Sequence, residues 1–164
     1  MSDSCKKILS DAARAEIDQW LKNYPEEQKR SAVTSALKIA QRENGGWLDR
    51  EMMDAVAMYL DMPSIAVYEV ATFYDMYHMQ PVGRHVIDVC TNISCMLSGC
   101  DKIVSHLKKR LQINFDETTA DGKFTLREVE CLAACAGAPM MQIGKHYHEN
   151  LNPEKVDAIL NELE

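Results

Sequence analysis

Apolar positions recur along the first half of the chain with the spacing of helices. Ile17, Trp20, Leu21 and Tyr24 stand at i, i+3, i+4 and i+7. Val33, Ala36, Leu37 and Ala40 repeat that spacing, as do Met53, Val56, Ala57 and Leu60, and Val67, Val70, Ala71 and Tyr74. Each set places one apolar stripe on a helix. Ser10 is the expected N-cap of the first, because a short hydroxyl side chain can accept from the open N–H groups of a first turn. Pro25, Gly45-Gly46 and Pro63 separate the stripes. A small helical bundle is expected over residues 1–80.

The pattern changes after Pro81. His85 to Val89 is rich in β-branched residues and reads as a strand. Ser98 to Leu111 returns to helical periodicity, with Cys100, Ile103, Val104, Leu107 and Leu111 on one stripe. Phe124 to Val129 follows the Asp121-Gly122 turn as a second strand. Met140 to Ile143 reads as a third, and His146 to His148 as a short fourth. Asn152 caps a closing helix that has Pro153 at its first position. The order β-α-β-β-β-α predicts a small thioredoxin-like α/β domain over residues 81–164. The fold class is therefore α+β, a helical bundle followed by that domain.

The chemistry is concentrated in four cysteines of the second half. Cys90 and Cys95 are spaced C-x4-C beyond the first strand, and Cys131 and Cys135 C-x3-C beyond the second. Two strand ends on one side of a sheet can bring both loops to one place, and four thiolates are the ligand set of a [2Fe–2S] cluster. Both spacings also suit zinc. Two features favour iron–sulfur. The second loop, Cys131-Leu132-Ala133-Ala134-Cys135-Ala136-Gly137-Ala138, is made of small residues that let backbone N–H groups approach bridging sulfides. A chain with this much amphipathic helix also does not need zinc to fold. A Rieske centre needs two histidines, and none stands within four residues of these cysteines. The absence of Cys-x-x-Cys weighs against thiol–disulfide exchange.

The remaining candidates are weaker. Cys100 also follows Cys95 by x4, but its helical stripe suggests a buried structural thiol. Cys5 lies in a polar tail. His146 and His148 share a strand face without an evident third ligand and are expected at the surface.

Composition then narrows the setting. The chain has 164 residues, 46% of them hydrophobic and 26% charged, an ordinary globular balance. Its net charge is −7, and its dense basic run, Lys108-Lys109-Arg110, sits where it complements a helix C-terminus. Nucleic-acid binding is not expected. No apolar run approaches the ~20 residues of a membrane span, and the first residues resemble neither a secretory signal nor a transit peptide. A reducing compartment is expected, where six cysteines indicate metal or redox chemistry more than disulfides. No G-x-G-x-x-G or G-x-x-x-x-G-K-[ST] occurs, so no nucleotide or flavin site is visible and a partner subunit is implied.

Several segments carry a family resemblance. Val70-Ala71-Thr72-Phe73-Tyr74, Pro81 to Ile87 and Cys90 to Cys95 resemble the small thioredoxin-like [2Fe–2S] ferredoxin subunits, those of the E type, of respiratory NADH:quinone oxidoreductase, complex I. Glu130 to Cys135, Ala138-Pro139-Met140-Met141 and Glu149 to Glu154 are similar to the same family. The likeness runs from about residue 10 to the end. It implies that Cys90, Cys95, Cys131 and Cys135 ligate one [2Fe–2S] cluster. It implies docking on a larger subunit that carries FMN and NADH, which this chain does not bind, and through it contact with the other peripheral-arm subunits. The chain would then be a non-autonomous part of the oxidoreductase. It would lie in the bacterial cytoplasm, peripheral to the inner membrane through the complex and without direct insertion. Met52, Met58, Met62, Met76 and Met79 suggest an adaptable docking surface on the helical half. The same module occurs in NAD-linked hydrogenases and formate dehydrogenases, and a zinc-held interaction module is the alternative of another class. One departure is Ala133, where the family usually has glycine.

Overall fold

The computed structural model describes residues 8–163. The chain divides into two compact units, Met1–Pro81 and Val82–Glu164.

The first unit is helical. Helix α1 (Asp11–Leu21) begins where expected, with Ser10 Oγ accepting from the Ala13 N–H at 3.1 Å. A 3-10 segment (Glu26–Ala32) after Pro25 leads into α2 (Val33–Glu43). Helix α3 (Arg50–Tyr59) is capped by Asp49, whose carboxylate accepts from the Met52 N–H at 2.7 Å, and α4 (Ser64–Phe73) follows Pro63. Ile17, Leu37, Val56, Leu60 and Val67 meet in one core. Each such aliphatic side chain contributes about 1.5–3 kcal/mol by leaving water.

Not every residue of the four stripes is buried. Trp20 and Tyr74 are exposed, and Met53 and Val70 are half-buried. Beyond α4 the chain is tied back by polar contacts. Tyr77 Oη donates to the Thr34 carbonyl at 2.8 Å. Gln41 receives the His78 N–H at 2.8 Å and donates to the Met76 carbonyl at 3.0 Å.

The second unit is a five-stranded sheet in the order β2-β3-β1-β4-β5. Its strands are β1 (His85–Cys90), β2 (Glu117–Thr118), β3 (Phe124–Val129), β4 (Met141–Ile143) and β5 (His146–His148). Strands β1 and β3 are parallel, and the other pairs are antiparallel. The connection between β1 and β3 carries two helices, α5 (Ile93–Leu97) and α6 (Cys100–Leu111), and α7 (Pro153–Leu163) closes the chain. Asn152 caps α7 as expected, accepting from the Lys155 N–H at 2.8 Å. Ile103 and Leu107 of α6 and Val156 and Leu160 of α7 share a core with Ile87, Val89, Leu126 and Met141 of the sheet.

The α+β class and the thioredoxin-like order are as expected, with two additions. A short helix, α5, precedes the one expected over Ser98 to Leu111, which begins at Cys100 after Gly99, whose φ of 90° favours a residue without a Cβ. A two-residue strand, β2, precedes β3 and makes the far edge of the sheet.

Candidate metal centre

The central strand pair positions the cysteines. In the β1–β3 register Cys90 lies opposite Val129, so both strands end at the same level and both cysteine loops leave from one edge. The Thr91 N–H donates to the Val129 carbonyl at 3.2 Å, carrying the pairing one step beyond the strands. On the other side of β1 the Cys90 N–H donates to the Met140 carbonyl at 3.3 Å.

Cys90 is the last residue of β1 and is buried, whereas the spacing had placed it in a loop. Cys95 also lies within an element, the short helix α5. Asn92 starts that helix by accepting from the Ile93 N–H at 2.7 Å. One turn suffices to separate its faces. Cys95 points inward at 1% exposure, while Ile93 and Leu97 are 66% and 80% exposed.

The structure brings Cys90 and Cys95 together with Cys100 and Met140 in one packed cluster, against which Leu132, Ala134 and Ala138 lie. The sequence assigned Cys100 to the stripe of Ile103 and Leu107. It is buried, as expected of a structural thiol, but it packs on the two cysteines of the first loop instead. As the first residue of α6 it sits at the strand-end level, while Ile103 and Leu107 run down the sheet face.

The second loop is more open. Cys131 and Cys135 are exposed, Cys135 at the start of a 3-10 turn (Cys135–Gly137). Ala133 adopts a left-handed φ of 58°, which turns its N–H onto Cys131 Sγ at 3.3 Å. The loop is braced by the segment before α7. The Asn150 N–H donates to the Gly137 carbonyl at 2.6 Å, and the Leu151 N–H to the Pro139 carbonyl at 3.0 Å. Gly137 is required by close approach, since a Cβ there would lie 2.5 Å from Glu149 Cδ and 2.6 Å from its Cβ. Besides the packing of Leu132 and Ala134 on this cluster, Cys90 Sγ donates to the Glu130 carbonyl at 3.7 Å.

Burial governs the thiols. It pushes Cys95 up to about 11, helped by its hydrogen bond with Cys90 and opposed by a backbone hydrogen bond from Met140. Cys100 is also raised, by burial first and then by the carboxylate of Asp101. Both are therefore neutral thiols near pH 7, and each would release a proton on binding iron. Among the described residues no three His, Cys, Asp or Glu side chains are gathered closely enough to hold a metal ion. The first loop thus has its two thiols together, and the second has its two on the open side.

The residues fit an iron–sulfur centre in their chemistry. Thiols are the available donors, small side chains line the second loop, and backbone hydrogen bonds already reach Cys131 and Cys95. His146 and His148 lie on β5, at the sheet edge and separated from β1 by β4, away from this cluster. Burial first, and then His146, lowers the pKa of His148. Cys5 lies outside the described residues. The element that sequence reasoning missed is α5, for which Asn92 was the available cap signal.

The thioredoxin-like [2Fe–2S] ferredoxin family model matches residues 17–164. The E-type subunit of NADH-quinone oxidoreductase from Rickettsia bellii is 49% identical over 143 residues, 87% of this chain and 86% of the relative. That of Rickettsia prowazekii is 47% identical, over 87% of this chain and 80% of the relative. An E-type subunit from Rhizobium meliloti is 46% identical, over 90% and 86%. Among solved structures, an air-oxidised NAD+-reducing [NiFe]-hydrogenase aligns with a TM-score of 0.65 at 19% identity, over 76% of this chain and 22% of that one. That likeness is one of fold.

Proposed function

This chain belongs to the thioredoxin-like [2Fe–2S] ferredoxin family, and from that premise we propose that Cys90, Cys95, Cys131 and Cys135 hold one [2Fe–2S] cluster. The chain is an electron-transfer subunit of NADH-quinone oxidoreductase, of the E type. The observation that carries the ligand assignment is the β1–β3 register. It releases both cysteine loops from the same end of the sheet, where Cys90 and Cys95 are packed together, which supports the reading.

The cluster, when bound, supplies one-electron redox chemistry. The protein's part is to hold and shield it. Cys90 and Cys95 contribute from the buried side, and Cys131 and Cys135 from the open side. The Ala133 N–H bonded to Cys131, and the backbone hydrogen bond from Met140 to Cys95, stabilise negative charge on those sulfurs. A four-thiolate centre in an acidic chain favours a low potential, near the plant-type value of about −400 mV.

NADH gives up a hydride, which carries two electrons, whereas a single cluster takes one. A flavin divides the pair, and this chain has no dinucleotide loop. The FMN and NADH therefore sit on a partner subunit, and this chain works docked on it. The exposed apolar residues Ile65, Phe73, Tyr74 and Met76 of the helical unit suit that contact, with Met58. Of the other methionines considered for docking, Met52 is buried, and Met62 and Met79 pack against the core. Among the described residues no helix is long and apolar enough to cross a membrane, so attachment would run through the complex.

The test mixes the isolated chain with NADH, follows cluster reduction by electron paramagnetic resonance, and then adds the flavoprotein subunit. Reduction is expected only after the addition. Rapid reduction without a flavoprotein would refute the division of labour. A colourless, anaerobically prepared chain with stoichiometric zinc and no sulfide would refute the cluster.

A further inference from the structure

We infer that Cys100 is a reserve ligand, able to take the position of Cys95 on the cluster when Cys95 is lost. The inference rests on the four-thiol reading above. Cys90, Cys95 and Cys100 are spaced x4 and x4, and all three are packed in one cluster with Met140. Cys100 is as deeply buried as Cys95, each 1% exposed. A thiol in that place is not explained by the sheet-facing core, which begins at Ile103.

The segment between the two thiols is built to give. Helix α5 has five residues, and its outward side chains, Ile93, Met96 and Leu97, are exposed. Gly99 joins it to α6 with open space on the side where a Cβ would stand. The contact of the Cys100 thiol with Asp101 Oδ1, at 3.9 Å, is weak and easily given up. In the exchange the Cys100 thiol loses its proton to solvent and its sulfur binds the iron that Cys95 would have bound. No electron is transferred.

The experiment uses the full chain as Cys95→Ala, Cys100→Ala, the double variant and Cys131→Ala, each reconstituted anaerobically with iron and sulfide. Iron and acid-labile sulfide per chain and the electron paramagnetic spectrum of the reduced form are measured, with circular dichroism to check folding. Cys100→Ala is expected to match the parent chain. Cys95→Ala is expected to keep a cluster in most chains with a shifted spectrum, and the double variant in almost none. A folded Cys95→Ala chain as empty as the double variant would overturn the inference. So would loss of the cluster in Cys100→Ala alone, which would make Cys100 an ordinary ligand. If Cys95→Ala does not fold, Cys95→Ser and Cys95→Ser/Cys100→Ala are compared. Different spectra support the exchange, and identical spectra overturn it. A parent chain without iron and sulfide, or a full cluster in Cys131→Ala, would instead sink the four-thiol reading itself.

Discussion

The backbone N–H of Ala133 reaches the sulfur of Cys131 at 3.3 Å, and Ala133 makes that contact from a left-handed conformation. A Cβ at positive φ crowds the following carbonyl at a cost of about 1–2 kcal/mol. Ala133→Gly should remove that cost, while the greater freedom of glycine in the unfolded chain takes back about 0.4–1 kcal/mol. A net gain of between about 0 and 1.6 kcal/mol is expected in denaturant unfolding. Ala133→Pro, which lacks the N–H and is confined to negative φ, should lower iron and sulfide content. A proline variant with parental cluster content would refute a role for this contact.

Gly137 and Glu149 form a second tight pair. The Cβ introduced by Gly137→Ala would meet the near end of the Glu149 side chain, not only its mobile tip. A loss of about 1–3 kcal/mol is expected from such overpacking, together with displacement of the turn that begins at Cys135. Glu149→Gly in the same chain, which removes that Cβ as well, should recover much of that loss. A double-mutant cycle checks it, and strict additivity would mean that the two side chains do not compete for space.

Tyr77 should make the helical unit sensitive to alkali. Its hydroxyl is pushed up to about 12, by burial first and by Tyr74 second, against an opposing hydrogen bond from the Thr34 side chain. In the unfolded chain it titrates near pH 10. Between those values the folded state holds the proton more tightly, so this stabilisation is complete below about pH 10 and is lost as pH rises toward 12. Tyr77→Phe should cost about 1 kcal/mol at neutral pH for the lost hydrogen bond and flatten the alkaline slope of the unfolding midpoint. An unchanged slope would place the alkaline sensitivity elsewhere.

His85 should act at the other end of the pH scale. Burial, then Arg84 and Lys123, lower its pKa, and its ring lies 5.6 Å from that of Phe124. The unfolded chain therefore takes up the proton first, and stability falls as pH drops below about 6.5. His148 is shifted in the same direction. Replacing both by Gln should shallow the decline between about pH 7 and 5, measured by thermal unfolding in buffers of matched ionic strength. An identical slope would assign the decline to the carboxylates.

What was readable in the sequence follows from signal length. The four helices of the first unit each offer several turns of periodicity, and Ser10, Asn152, Pro25 and Pro63 mark boundaries by local chemistry that does not depend on the fold. Strands β1 and β3 are six residues each and rich in β-prone types. Helix α5 has five residues and β2 has two, too few for either period to register. The spacing of the four cysteines singled them out, but spacing is silent on depth. It could not say that Cys95 is enclosed while Cys131 and Cys135 face outward. The neighbours of Cys100 were hidden for another reason. They come from β1, α5 and the segment before β4, and only the sheet order makes them adjacent.

The parallel pairing of β1 with β3 sets a timetable for this chain. During synthesis Cys90 and Cys95 emerge first, and about forty residues must follow before Val129 can lie beside Cys90. If Cys90, Cys95, Cys131 and Cys135 hold the cluster as proposed, the nascent protein until then presents half of that site, with two thiols and nothing to complete them. Insertion of the cofactor would thereby be a late event, tied to docking of a strand made last among the central pair. A cell that delivers iron and sulfur to this protein must deliver them to a nearly finished domain.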